Sequence, residues 1–232
     1  MRLESYAQEL EDLILFSALR NVEKGFYIDV GANDPTNISV TRFFYNRGWN
    51  GINIEPQPAI VKILEEERPR DINLCCGIGK ERGKLKLYGN GTGASFSEEV
   101  KNNRNLSDEN EVDVFTLSEI HKLYPPRYAI NFCKIDVEGF EKEVLEGISD
   151  WESFRPWIYV VEATEPGTVV PCHEKWEHIL LNHGYELGFA FGINRYYVDR
   201  RKQHLKAYLN ETDSFLKRYE IFKVNMQRIT LN

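Results

Sequence analysis

From Phe26 onward the sequence alternates between short apolar runs and amphipathic stretches, and that alternation limits the fold more than any other feature. The strand-like segments GFYIDV, GINIE, INLCCGI, YAINFCKIDV and WIYVVEAT are separated by helical patterns. These lie around Val40 to Asn46 and in AIVKILEEE, TLSEIHKL and FEKEVLEGI, with HEKWEHILLNH after the last strand. Lys84 to Tyr88 alternates like a further strand, and Thr116 with Glu119 gives a capping-box signature. Two closing runs, GYELGFAF and NRYYVD, flank a tight Gly192-Ile193 link and read as an antiparallel hairpin. Such alternation predicts an α/β fold, a mostly parallel sheet with right-handed crossovers and helices on both faces. The 232 residues suit one domain, spanning 1–232. Within it we expect an N-terminal helix over 1–22, a polar loop over 89–110 that would act as a lid, and a charged tail over 200–232 without an assigned role.

Bulk properties narrow the function classes. Lys and Arg number 29 against 36 Asp and Glu, a net charge of −7, which argues against general nucleic-acid binding because that needs a basic face. No Asn-Pro-Pro-aromatic stretch suggests a nucleic-acid-modifying enzyme either. No apolar run is long enough to cross a bilayer, and the start, MRLESYAQELEDLILF, is acidic and amphipathic rather than a signal peptide. Cys75, Cys76, Cys133 and Cys172 have neither disulfide-framework nor zinc-cluster spacing and read as reduced thiols, which points to the cytoplasm. The oligomeric state is left open.

In an open parallel sheet, ligands bind outside the carboxyl ends of the strands. The residues to inspect are therefore Asp29, Glu55, Cys76, Asp136 and Glu162. Asp29-Val30-Gly31-Ala32-Asn33 has a single glycine in its loop, a poor fit to a pyrophosphate and a better one to a cationic or zwitterionic ligand. An ordinary strand-to-helix turn would use the same residues. Glu55, followed by Pro56, stands where an acidic residue accepts hydrogen bonds from a ribose diol, a trait shared by dinucleotide and nucleoside sites. At Cys76-Gly77 small side chains leave room for a flat ring, or simply allow tight helix–sheet packing. Asp136 and Glu138, two apart at a strand end, would repel in a buried site unless one is protonated or both share a cation. With Glu162 on the next strand, Asp136 could frame a divalent ion such as Mg or Mn. His173, on a loop at the ligand side, is a candidate proton acceptor. Asn194 and Arg195 could bind substrate oxygens, although an arginine near a turn is often just solvated.

As an ordered set, YIDVGANDP, SVTRFFYNRGWNGINIEPQP, KIDVEGFEKEVLEG, VVEAT, HEKWE and INRYYV resemble the FkbM-like methyltransferases. The likeness runs from SYAQELED to about residue 198. It implies a Rossmann-like, class I methyltransferase fold with seven strands, the last antiparallel. It also implies S-adenosylmethionine as cofactor and methyl transfer to oxygen, often a sugar hydroxyl of a glycan, glycolipid or small-molecule acceptor. Carried over by residue, Asp29, Gly31, Ala32 and Asn33 would hold the amino acid end of the cofactor. Glu55 and Pro56 would lie at its ribose, and Cys76 and Gly77 at its adenine. Asp136 and Glu138 would face the transfer centre, His173 would be the base, and Glu162 would orient it or bind metal. Two departures stand out: Phe191-Gly192 replaces the relatives' Asp-Gly ahead of Asn-Arg, and the glycine that usually closes the first loop is missing near Pro35. A nicotinamide-dependent oxidoreductase and a non-catalytic nucleoside-binding module are the competing readings.

Overall fold

The computed structural model describes residues 2–107 and 109–224. Its strands are β1 (Arg2–Ser5), β2 (Phe26–Val30), β3 (Asn50–Glu55), β4 (Ile72–Cys75), β5 (Gly77–Ile78), β6 (Gly83–Tyr88), β7 (Glu109–Phe115), β8 (Ile130–Ile135), β9 (Ile158–Glu162), β10 (Tyr185–Phe191), β11 (Asn194–Asp199) and β12 (Glu220–Lys223). The helices are α1 (Glu11–Leu19), α2 (Arg42–Asn46), α3 (Pro58–Glu67), α4 (Glu98–Arg104), α5 (Leu117–Leu123), α6 (Glu141–Glu146), α7 (Glu177–Asn182), α8 (Gln203–Asn210) and α9 (Thr212–Leu216). The main sheet has seven strands in the order β10-β11-β9-β8-β2-β3-β4. β9, β8, β2, β3 and β4 are parallel, and β11 and β10 close one edge as the expected antiparallel hairpin. Strand order reverses between β2 and β8, the point where such sheets open a crevice.

Period-2 alternation sorts the strand residues onto two cores. Ile28, Val30, Cys133, Ile135, Tyr159 and Val161 face α5, α6 and α7. Their neighbours Tyr27, Phe132, Ile158 and Val160 face α1, α2 and the C-terminal helices. A strand covered on both faces is apolar at most positions, which explains the long apolar runs in β8 and β9, broken within β8 by Asn131 and Lys134. Local signals fix several helix starts. Thr116 and Glu119 form the complete capping box of α5, Pro58 stands in the first turn of α3, and Ser97 caps α4 through Val100 N–H.

Several expectations need correction. The segment INLCCGI is not one strand: β4 ends at Cys75, the chain bends at Cys76, and β5 joins a separate three-stranded sheet, β5-β7-β6. The 89–110 segment is not structureless. It contains a 3₁₀ turn at Gly91–Gly93 and helix α4, then enters β7 at Glu109; its residue 108 lies outside the described residues. The N-terminal segment is a helix only over Glu11–Leu19, because Arg2–Ser5 pairs in parallel with β12. The tail has a structural job. Leu205, Leu209, Phe215 and Leu216 are buried in the core beneath α1, and Ser17 Oγ lies 2.7 Å from Thr212 Oγ1. Residues 225–232 of that tail lie outside the described residues.

Candidate active site

The crevice at the β2/β8 switch point opens into a cavity of about 230 Å³. Its walls are the segments that leave the strands: Gly31–Asn33 after β2, Glu55–Gln57 from β3, Cys76–Gly77 after β4, Asp136–Glu138 after β8, and Glu162 at the end of β9. Gly91, Thr92, Ala94 and Phe96 roof it, and Gln8 and Ile193 stand at its far end. Ten of the expected residues thus converge: Gly31, Ala32, Asn33, Glu55, Pro56, Cys76, Gly77, Asp136, Glu138 and Glu162.

Backbone geometry explains the first loop. Gly31 has φ +76, and a Cβ there would stand 1.9 Å from the carbonyl oxygen of Asp136. The glycine is therefore required by the close approach of the β8 exit, whatever ligand lies beyond it. Glu55, almost fully buried, holds the loop on its other side. Its Oε2 accepts from Asn33 N–H at 3.0 Å, and its Oε1 accepts from Gln57 N–H at 3.0 Å and from Gln57 Nε2 at 3.1 Å. Burial raises its pKa, while these hydrogen bonds pull the other way. The Gln57 amide also grips the roof: it donates to Gly91 O at 3.1 Å and accepts from Gly91 N–H at 2.7 Å.

Electrostatics at the floor centre on Lys134, which the sequence reading passed over. Its ammonium donates to Gly31 O at 2.8 Å and lies 3.3 Å from Asp29 Oδ1 and 3.4 Å from Asp136 Oδ2. Burial by itself would lower its pKa; Asp29 and Asp136 outweigh that and raise it, so it is a fixed cation. Glu162 is the opposite case. Burial first, then the charges of Asp136 and Glu141, push its carboxyl up to about 10, which leaves it protonated beside Asp136. Its Oε2 is buried without a hydrogen-bond partner. Glu138 adopts φ +53, and its carboxylate accepts from Arg104 of α4 at 2.9 Å, while its carbonyl accepts from Ser95 Oγ.

Four expected residues lie elsewhere. Asp29 is the fourth of five residues in β2, so it points away from the cavity and its Oδ2 accepts from Thr41 Oγ1 at 2.8 Å. His173 begins a 3₁₀ turn outside the cavity wall, with Nδ1 buried and unpartnered. Asn194 Nδ2 donates to Glu11 at 3.0 Å and Arg195 donates to Glu177 at 3.1 Å, so both face helices rather than the cavity. The divalent-ion reading of Asp136 and Glu162 finds no support in the geometry. Among the described residues no group of three or more His, Cys, Asp or Glu is arranged to hold a metal. Lys134 stands as a cation 3.4 Å from Asp136 Oδ2. All four cysteines are unbridged, and among the described residues no helix is long and apolar enough to cross a membrane.

Comparison with known proteins agrees with this architecture. No curated protein sequence matches the chain. Among solved structures, methyltransferase FkbM from Methylobacillus flagellatus KT superposes with a TM-score of 0.51 at 16% identity, over 76% of this chain and 44% of that one. The chain thus spans less than half the length of that protein, and the likeness is one of fold. A TehB-like SAM-dependent methyltransferase from Corynebacterium glutamicum gives a TM-score of 0.44 at 9% identity, over 82% and 87% of the two chains. A SAM-dependent methyltransferase from Leishmania major gives 0.42 at 7% identity, over 82% and 72%. The profile of the methyltransferase FkbM domain matches residues 29–187, from the middle of β2 into β10 and across every wall of the cavity except its far end. The chain belongs to the methyltransferase FkbM domain family.

Proposed function

We propose that residues 1–232 act as one S-adenosylmethionine-dependent O-methyltransferase domain that methylates a sugar hydroxyl of a glycan, glycolipid or related metabolite. The observation that carries this reading is Glu55, a buried carboxylate pinned by Asn33 and Gln57 at the cavity wall between two parallel strand ends. One lone pair of its Oε2 is left to accept from a ribose hydroxyl. The donor set fits such a cofactor. The cavity has carboxyls at Glu55, Asp136 and Glu162, and no run of glycines that could cradle a pyrophosphate. That combination favours a ligand with an ammonium or sulfonium charge over a dinucleotide.

In this reading Gly31, Ala32 and Asn33 border the amino acid end of the cofactor, with Asp29 stiffening the loop from behind through Lys134. Glu55 and Pro56 flank the ribose, and Cys76 and Gly77 border the adenine. When bound, S-adenosylmethionine supplies an electrophilic methyl group for in-line attack. The chain must align the acceptor oxygen and remove its proton. Alignment contributes roughly 7–11 kcal/mol and a general base about 10²–10⁴-fold. Asp136 is the carboxylate best exposed to the cavity, and the protonated Glu162 beside it keeps it charged by donating a hydrogen bond. This pair takes the base role assigned earlier to His173, which does not line the cavity. Unbridged cysteines support a cytoplasmic setting.

Labelled S-adenosylmethionine and a panel of saccharides, with and without a chelator, test the reading. Methyl transfer insensitive to chelation is expected; binding of S-adenosylhomocysteine with no transfer to any acceptor would favour a non-catalytic nucleoside-binding module.

A further inference from the structure

A second cavity, of about 750 Å³, lies beside the first. Phe96 lines both, and the consecutive residues Glu138 and Gly139 line one and the other. Phe96 and Phe140, with ring centroids 5.7 Å apart, and the buried Trp176 form part of its wall. Trp176 is only 1% exposed, and its indole Nε1 is closed off from the cavity.

The charges in this cavity are already matched. Among the described residues its three cations each have a carboxylate partner: Arg104 with Glu138 at 2.9 Å, Lys175 with Glu165 at 2.7 Å, and Lys142 with Glu146 at 3.8 Å. Carboxylates of Glu98, Glu99 and Glu143 add negative charge to the lining. A phosphate needs free Arg or Lys groups or clustered amides, and would here meet carboxylates instead. Hydroxyl groups suit the site, because carboxylates accept from them. The Phe96 and Phe140 side chains add apolar surface suited to the C–H side of a cyclic, hydroxylated ligand.

We propose that this second cavity is the acceptor site and that it takes an uncharged, polyhydroxylated acceptor rather than a phosphorylated or nucleotide-activated one. The reacting hydroxyl passes Phe96 and Glu138 to reach Asp136. The inference rests on the methyltransferase reading of the first cavity.

The test uses the full chain with labelled S-adenosylmethionine. Neutral methyl glycosides and oligosaccharides are compared with the matching sugar phosphates and nucleotide diphosphate sugars, and S-adenosylhomocysteine binding is measured in parallel. Neutral acceptors should be favoured by about tenfold or more in kcat/KM. Asn103→Trp, which fills the second cavity from an exposed position on α4, should raise acceptor KM by about tenfold with S-adenosylhomocysteine affinity unchanged. Preference for the phosphorylated partners, an unchanged KM in Asn103→Trp, or S-adenosylhomocysteine binding with no saccharide methylated would each overturn the inference while leaving the cofactor site standing. Absence of S-adenosylhomocysteine binding would overturn both.

Discussion

Lys134 Nζ lies 3.3 Å from Asp29 Oδ1, joining two adjacent parallel strands whose residues 29 and 134 are in register. Both side chains are buried, so removing Lys134 leaves the Asp29 carboxylate without its cation, whereas Lys134 also has Asp136 at 3.4 Å. Lys134→Met should lose about 3–5 kcal/mol of unfolding free energy, and adding Asp29→Asn should restore part of it. Urea denaturation of the single and double variants measures this. A single variant as stable as the parent would show that the pair does not hold the β2–β8 seam.

Glu162 gives a pH prediction with a definite sign. Its folded-state pKa of about 10 is above the ordinary glutamate value of about 4.3. Below the ordinary value both folded and unfolded chains hold the proton, and there is no penalty. As pH rises from there towards 10, the unfolded chain ionises and the folded one does not, so stability falls. Glu162→Gln keeps the neutral hydrogen-bond donor and removes that penalty. It should match the parent near pH 4 and exceed it at pH 7–9, each kcal/mol appearing as about 2–4 °C in melting temperature. Its turnover should drop if Asp136 needs a neighbour that exchanges protons. Equal melting curves at every pH would contradict the buried, protonated assignment.

The Gln57 side chain makes two hydrogen bonds to Gly91, and they tie the roof of the first cavity to the cofactor wall. Gln57→Leu should speed amide hydrogen exchange at Gly91 by about tenfold and spread faster exchange over 89–95. Exchange unchanged in the variant would mean that the turn is held by its other contacts, such as the Tyr88–Ser95 bridge.

Phe215 tests the role of the tail. Its ring centroid lies 5.7 Å from that of Phe16, and it is buried against the core of α1. Phe215→Ala should destabilise the chain by about 3–5 kcal/mol, as a core truncation does. A loss below about 0.5 kcal/mol, the surface range, would show the tail to be peripheral.

Much of the fold was legible because the central strands are covered on both faces, so their apolar runs stand out and their carboxyl ends are easy to find. Those ends supplied Glu55, Cys76, Asp136 and Glu162. The rest depends on pairings between distant parts of the chain. β1 and β12 meet across nearly the whole sequence, and Asn194 and Arg195 are claimed by Glu11 and Glu177, which local sequence does not reveal. Asp29 lies one residue inside its strand rather than beyond it, so its buried carboxylate meets Lys134 and Thr41 instead of lining the cavity. Lys134 did leave a signal. A lone lysine within the apolar run INFCKI demands buried carboxylates, and Asp29 and Asp136 were the obvious candidates.

The central claim is that the first cavity binds an adenosyl sulfonium cofactor and that Glu55 is its ribose acceptor. Calorimetric titration with S-adenosylhomocysteine and with NAD, on the parent chain and Glu55→Ala, tests this most directly. The account predicts one S-adenosylhomocysteine site per chain, no NAD binding, and loss of the S-adenosylhomocysteine signal in Glu55→Ala. NAD binding as tight as S-adenosylhomocysteine, or full affinity retained in Glu55→Ala, would contradict it.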